Sequence, residues 1–188
     1  MSELVALLAR RSVPARYLGG PGPGEAQIEA ALAAAGRAPD HGQLCPWRFR
    51  RVQGAALPRF AELLVSCALQ RDPHTPPEQL EKFRLPASRA PLALIVSAQL
   101  RVHKVPELEQ LLATGAAVMN VLNAFHLQGF GAIWLTGANA YDPGVAAALG
   151  LGPQEKLLGF VYVGSPGADA PRSPPRPELG RYTRSWPG

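Results

Sequence analysis

Cysteine is nearly absent: Cys45 and Cys67 are the only two in 188 residues. Neither sits at a metal-ligand spacing, which argues against a disulfide scaffold or a metal centre. Free thiols in a reducing cytoplasm are expected. Charge is scarce too, at 18% of residues, below the share of about a quarter usual in globular chains. A surface so short of charge leaves apolar area for a partner chain to cover. No apolar run is long enough to span a bilayer, and the first eleven residues lack the basic-then-apolar order of a secretion signal. There is no Lys/Arg block. The excess of 19 basic over 14 acidic residues, a net charge of +5, comes largely from scattered arginines. That pattern suits an anionic small ligand and argues against nucleic acid. No internal repeat and no acid/base dyad is found, so no catalytic side chain and no metal ligand are assigned.

What the chain does have is apolar bulk, 47% hydrophobic residues, enough for the core of one domain. Twenty prolines and nineteen glycines partly reflect a GC-rich coding bias. Ser2 reads as the N-cap of a first helix whose Leu4, Val5, Leu7 and Leu8 form an apolar face up to Arg10. Gly19 to Gly24 reads as a Gly/Pro turn. It is not a phosphate loop, because no Lys-Ser/Thr follows and no strand precedes it. A second helix covers about Glu25 to Arg37, with Ile28, Ala31, Leu32 and Ala35 inward. Trp47 to Gln53 alternates apolar Trp47, Phe49 and Val52 with basic Arg48, Arg50 and Arg51, as a half-exposed edge strand does. A helix over Ala55 to Leu69, a Pro-rich loop and a short helix over Glu78 to Phe83 follow. Pro91 to Leu100 is a continuous apolar run, hence a central strand. Val105 to Gln128 is the longest helical pattern, and from Leu111 onward it is apolar on nearly all sides. Such a helix must be buried all round, most economically at a subunit interface. Gly115, Ala116 and Ala117 would let another backbone approach. Ala132 to Leu135 and Lys156 to Gly164 read as further strands, with a short helix from Asp142-Pro143 to Gly150 between them. From Ser165 the chain turns to Pro, Arg and Ser, with Tyr182 and Trp186 as possible anchors. These elements predict an α+β domain over residues 1–166, a small mixed sheet with flanking helices, followed by an arm or disordered tail over 167–188.

Two stretches carry chemistry. Arg10-Arg11-Ser12 closes the first helix; two guanidinium forks and a hydroxyl suit a phosphate. The same residues read equally as cations complementing a helix C-terminus. The second stretch runs Arg37-Ala38-Pro39-Asp40-His41-Gly42-Gln43-Leu44-Cys45-Pro46-Trp47. Pro39 and Pro46 stiffen it, and a stiff loop rich in donors suits a ligand. Asp and His are also ordinary turn residues. Glu107 and Glu109 fall in the first turns of the long helix, where its dipole favours them. His126 reads more readily as a satisfied core or rim histidine than as a ligand-binding one.

Taken in order, Arg10-Arg11-Ser12, the Arg37 to Trp47 loop, the long apolar helix, Gly129-Phe130-Gly131-Ala132-Ile133-Trp134 with Thr136-Gly137, and Gly159 to Gly164 resemble the FMN-dependent nitroreductases, over about residues 2 to 166. The likeness is to the small bacterial NAD(P)H nitroreductases that lack larger inserted helices. The resemblance implies a homodimer built around the long helix, with two FMN molecules at the seam. Arg10, Arg11 and Ser12 would take the FMN phosphate and ribityl end. Arg37 and His41 would reach the flavin bound mainly by the other subunit. Trp134, Leu135 and Thr136 would lie along the isoalloxazine ring. Ala124, Phe125, His126, Leu127, Gln128 and Gly129 match the stretch that serves the nicotinamide cofactor. NAD(P)H would reduce FMN, which then reduces a nitroaromatic, quinone or similar small acceptor by a ping-pong route.

Three positions depart from the family pattern. Cys45 stands where Gln commonly precedes Pro-Trp. Leu135 stands where close small members carry Arg. Pro14 interrupts the run after Arg-Arg-Ser, with Arg16 or the arm residues Arg181 and Arg184 as candidate substitutes. Two rival readings follow: a flavoprotein of the same fold with a specialised biosynthetic redox role, and a cofactor-free basic binding protein.

Overall fold

The computed structural model describes residues 3–171 and 175–187; Ser2, the expected first cap, lies outside them. The chain folds into an antiparallel sheet between two helical layers. Its helices are α1 (Glu3–Ala9), α2 (Glu25–Ala35), α3 (Ala56–Arg71), α4 (Pro77–Arg89), α5 (Glu107–Leu127) and α6 (Pro143–Ala148), and its strands are β1 (Leu18–Gly19), β2 (Trp47–Gln53), β3 (Leu92–Gln99), β4 (Gly131–Leu135) and β5 (Glu155–Pro166). The order is β1-β5-β3-β2, with β4 also on β5. Every ladder is antiparallel; the one parallel element is the bridge between Ser12 and Ala132.

Strand β3 is central because both its faces are apolar. Ala93 and Ile95 join Phe60, Leu64, Phe160 and Tyr162 in the core beneath α3 and α4. Leu92, Leu94 and Val96 join Ile28, Val118, Val121 and Phe125 in the core beneath α2 and α5. The period of two in a strand sends neighbours to opposite faces, and full burial of each such side chain is worth about 1.5–3 kcal/mol.

Several boundaries differ from the sequence reading. Helix α4 runs on past Phe83 to Arg89 and carries Pro86 inside it. Proline there forfeits one backbone hydrogen bond, but Pro86 and Ala87 are buried and the Ala90 N–H still reaches the Pro86 carbonyl at 3.0 Å. The Gly/Pro turn begins with β1, which pairs with Ser165 and Pro166; the sheet thus extends into what reads as arm. Helix α2 stops at Ala35, and Arg37 lies in the turn beyond. The alternation in β2 breaks at Arg50-Arg51: Phe49 packs on the α5 side and Val52 on the α3 side. Two of its arginines are ion-paired, Arg50 with Glu155 and Arg51 with Glu25, while Arg48 donates to the Cys45 and Trp47 carbonyls. Tyr182 and Trp186 are 61% and 87% exposed, so neither is buried within the chain itself.

Helix α5 is covered on one side only. Ala117, Val118, Val121 and Phe125 are buried, while Leu108, Leu112, Met119 and Leu127 stay exposed, Leu112 at 63%. Helix α1 extends this face: His126 Nε2 lies 2.8 Å from the Ala6 carbonyl, and Leu4 and Leu8 are exposed.

Candidate active site

Arg10, Arg11 and Ser12 leave the C-terminus of α1 and run alongside the start of β4. The Val13 N–H donates to the Ala132 carbonyl at 3.0 Å, so the triplet is fixed at the sheet edge. Gly131 allows this approach, because a Cβ there would lie 2.9–3.1 Å from Leu18 and Val13. The Arg11 Nε is buried and has no hydrogen-bond partner among the described residues. Burial, and secondarily the charge of Arg176, lower the Arg10 pKa from its ordinary value. Arg176, from the C-terminal arm, donates to the Arg10 carbonyl. Neither Arg10 nor Arg11 meets a carboxylate among the described residues. An anion is the group this cluster lacks.

Trp134, Leu135 and Thr136 stand at the far end of β4. The Trp134 indole donates to the Leu158 carbonyl at 3.0 Å, where β5 bulges. Gly159, at φ +123°, makes that contact possible: a Cβ would sit 2.8 Å from Trp134 Nε1 and drive into the Leu135 carbonyl. All three residues line a cavity of about 380 Å³ with Lys82, Phe83 and Pro86 of α4 across from them and Phe160 and Tyr162 as its apolar wall. Burial pushes the Tyr162 phenol above its ordinary pKa.

Arg37 and His41 lie elsewhere in the chain. Both are exposed, and His41 sits beside the first turn of α5, its Nδ1 2.7 Å from Glu109 Oε2. The loop that carries them is held by the Asp40 carboxylate, which accepts the Cys45 N–H at 2.7 Å. Gln43 and Cys45 take left-handed backbone, φ +52° and +47°, a cost accepted in few places other than functional loops. Within one chain the structure therefore does not bring Arg37 and His41 to Arg10–Ser12.

The stretch from Ala124 to Gly129 closes α5. Phe125 is fully buried, edge-on to Phe130; His126 ties α1 to α5; Leu127 is exposed. Gln128 donates to the Gln27 carbonyl at 3.3 Å and leaves its buried Oε1 unpartnered. Ala124 is half-buried and Gly129 takes φ +87°.

Sequence reasoning missed Lys82, Phe83, Pro86 and Tyr162 as cavity residues, because their meeting with β4 is long-range and α4 was cut short. Arg16 does not join the arginine cluster; it stacks on Tyr17 and lines a separate cavity with Arg89 and Asp169. In the arm it is Arg176, not Arg181 or Arg184, that reaches Arg10.

An arginine cluster at a helix end, a slot along the edge strand β4 and a half-covered long helix define a class that comparison identifies. Residues 7–165 match the sequence profile of the nitroreductase family, and the chain belongs to that family of oxidoreductases. It is 38% identical over 167 residues to the Escherichia coli K12 protein named "Putative NAD(P)H nitroreductase YdjA", an alignment spanning 88% of this chain and 89% of that one. The fold is similar to that of a nitroreductase-like family protein from Bacillus cereus (TM-score 0.84, 20% identity, 100% of this chain and 97% of that one). It is also similar to that of the Desulfovibrio desulfuricans protein described as "a putative nitroreductase in complex with fmn" (TM-score 0.78, 24% identity, 100% and 98%). Among the described residues no helix is long and apolar enough to cross a membrane.

Proposed function

We propose that the chain is a cytoplasmic, homodimeric FMN oxidoreductase that takes reducing equivalents from NAD(P)H and passes them to a nitroaromatic, quinone or similar small acceptor. The observation that carries this reading is the buried, unpartnered Nε of Arg11, next in sequence to Arg10, whose guanidinium is partly withdrawn from water with Arg176 as its charged neighbour. A dianionic phosphate satisfies both, so the residues present fit FMN. Bound FMN supplies the redox chemistry, accepting hydride and giving electrons onward.

The chain's own residues bind and orient. Arg10, Arg11 and Ser12 hold the phosphate end, and Arg176 adds positive charge there. Trp134, Leu135 and Thr136 form the floor for the ring, and Gly159 sets how closely Trp134 and Leu135 lie against β5. Phe160 and Tyr162 keep water from the slot, which strengthens every electrostatic interaction within it. The end of α5, Ala124 to Gly129, serves the nicotinamide, with Gln128 Oε1 free to accept from a carboxamide. One slot serves donor and acceptor in turn, which makes the turnover ping-pong.

Distance supports the homodimer. Glu109, which touches His41, and His126, beside α1, are about 25 Å apart along α5 at a rise of about 1.5 Å per residue. One bound flavin cannot meet both ends within a single chain. A two-fold axis that packs the exposed Leu108, Leu112 and Met119 face of α5 against its copy brings His41 of one protomer toward Arg10–Ser12 of its partner. Residues 1–166 then form the catalytic domain and 167–188 its arm. The test is a visible spectrum of the purified protein with its mass in solution, then turnover with NADH and a nitroaromatic. Yellow dimer with turnover is expected. Reduction of bound FMN without acceptor turnover would point to a specialised redox role, and a colourless monomer that ignores added FMN would end the reading.

A further inference from the structure

His41 is not left to rotate. Its Nδ1 lies 2.7 Å from Oε2 of Glu109, in the first turn of α5. With Asp40, Leu112 and Ala116 they line a cavity of about 350 Å³ on the exposed face of that helix. A carboxylate can only accept, so the hydrogen bond requires the proton on Nδ1. That leaves Nε2 as the atom the ring offers outward. The neighbouring ionisable groups are otherwise engaged or do not touch the ring. Asp40 accepts from the Cys45 N–H, and His103 Nδ1 accepts from the Val105 N–H at 3.1 Å. Among the described residues Glu109 is the one carboxylate on His41.

We propose that Glu109 is a positioning residue for the redox reaction. It fixes the ring and the tautomer of His41 so that Nε2 meets the FMN held mainly by the partner subunit. This rests on the reading of the chain as an FMN-binding homodimer. With Nδ1–H on the carboxylate, Nε2 is a bare acceptor in the neutral ring and an Nε2–H donor across the seam when the ring carries both protons. A donor there stabilises the cofactor more when it is reduced and negative than when it is oxidised. The direct field of Glu109 acts the other way, since a negative charge near the ring disfavours added electrons. The two roles therefore predict opposite signs.

The experiment measures the midpoint potential and dissociation constant of FMN, at one pH near neutrality, in reconstituted full-length wild type and in Glu109→Gln, Glu109→Asp, His41→Gln and Glu109→Gln/His41→Gln. The expected result is that Glu109→Gln weakens reduced FMN about tenfold more than oxidised FMN, a fall of about 30 mV for a two-electron couple. Glu109→Asp, which keeps the charge but withdraws its oxygens from Nδ1, falls in the same direction. In the His41→Gln background the second substitution produces no further fall. A potential that is unchanged or raised in Glu109→Gln overturns the proposal, as does an equal fall with His41 absent. Wild type that takes up no FMN fails the underlying functional reading instead, and the two failures are told apart in the first titration.

Discussion

At the scale of single residues, two features bear on the proposed flavin site, and they work by different physics. Arg10 and Arg11 act through unmet charge. A guanidinium withdrawn from water without a carboxylate is costly, and its burial beside Arg176 lowers the Arg10 pKa; an arriving phosphate reverses that cost. Arg10→Ala should weaken FMN binding by about 1.5–3 kcal/mol, the worth of a hydrogen bond to a charged group, read from a flavin titration of the apoprotein. Gly159 acts through space. Its left-handed φ of +123° and the Trp134 indole 2.8 Å from where a Cβ would stand leave no room for a side chain. Gly159→Ala should destabilise the fold by about 2–4 kcal/mol in denaturant unfolding, from strain together with displacement of packed neighbours.

At the scale of elements, the sheet is tied across three strands by one polar cluster. Arg50 of β2 makes paired hydrogen bonds to Glu155 of β5, and Ser97 of β3 donates to the same carboxylate at 2.6 Å. The Arg50 bond above all pulls the Glu155 pKa down to about 2. Because the folded value lies below the ordinary 4.5, the contribution to stability is full above about pH 4.5 and lost as pH falls toward about 2. Arg50 is 38% exposed, so solvent screening trims the effect to about 1–3 kcal/mol. Glu155→Gln should be less stable at pH 7 and show a flatter stability profile between pH 5 and 2. The elements also show how far the sequence could be read. Strand β3 and helix α5 were legible because their apolar patterns are long and uninterrupted. Helix α4 was half hidden, since Pro86 imitates a stop signal that burial overrides. Strand β1 has two residues and no pattern to detect. The Arg10–Ser12 and Arg37–His41 stretches were visible as local chemistry. The Lys82 and Tyr162 side of the slot and the Arg176 contact were not, because each depends on a fold that brings distant segments together.

At the scale of the whole molecule, the exposed face of α5 and α1 explains why charge is so sparse in this chain. Leu4, Leu8, Leu108 and Leu112 are each exposed, and together they exceed the scattered apolar residues a lone surface usually shows. In the proposed homodimer the two ends of α5 serve different flavins. Two broken proteins could consequently repair each other. Arg10→Ala and His41→Gln chains, each deficient alone, should regain up to half of the wild-type flavin sites per mixed dimer when unfolded together and reassembled, because one pocket would inherit both sound halves. Two preparations of Arg10→Ala with Arg11→Ala, altered at the same end of the helix, should show no such rescue.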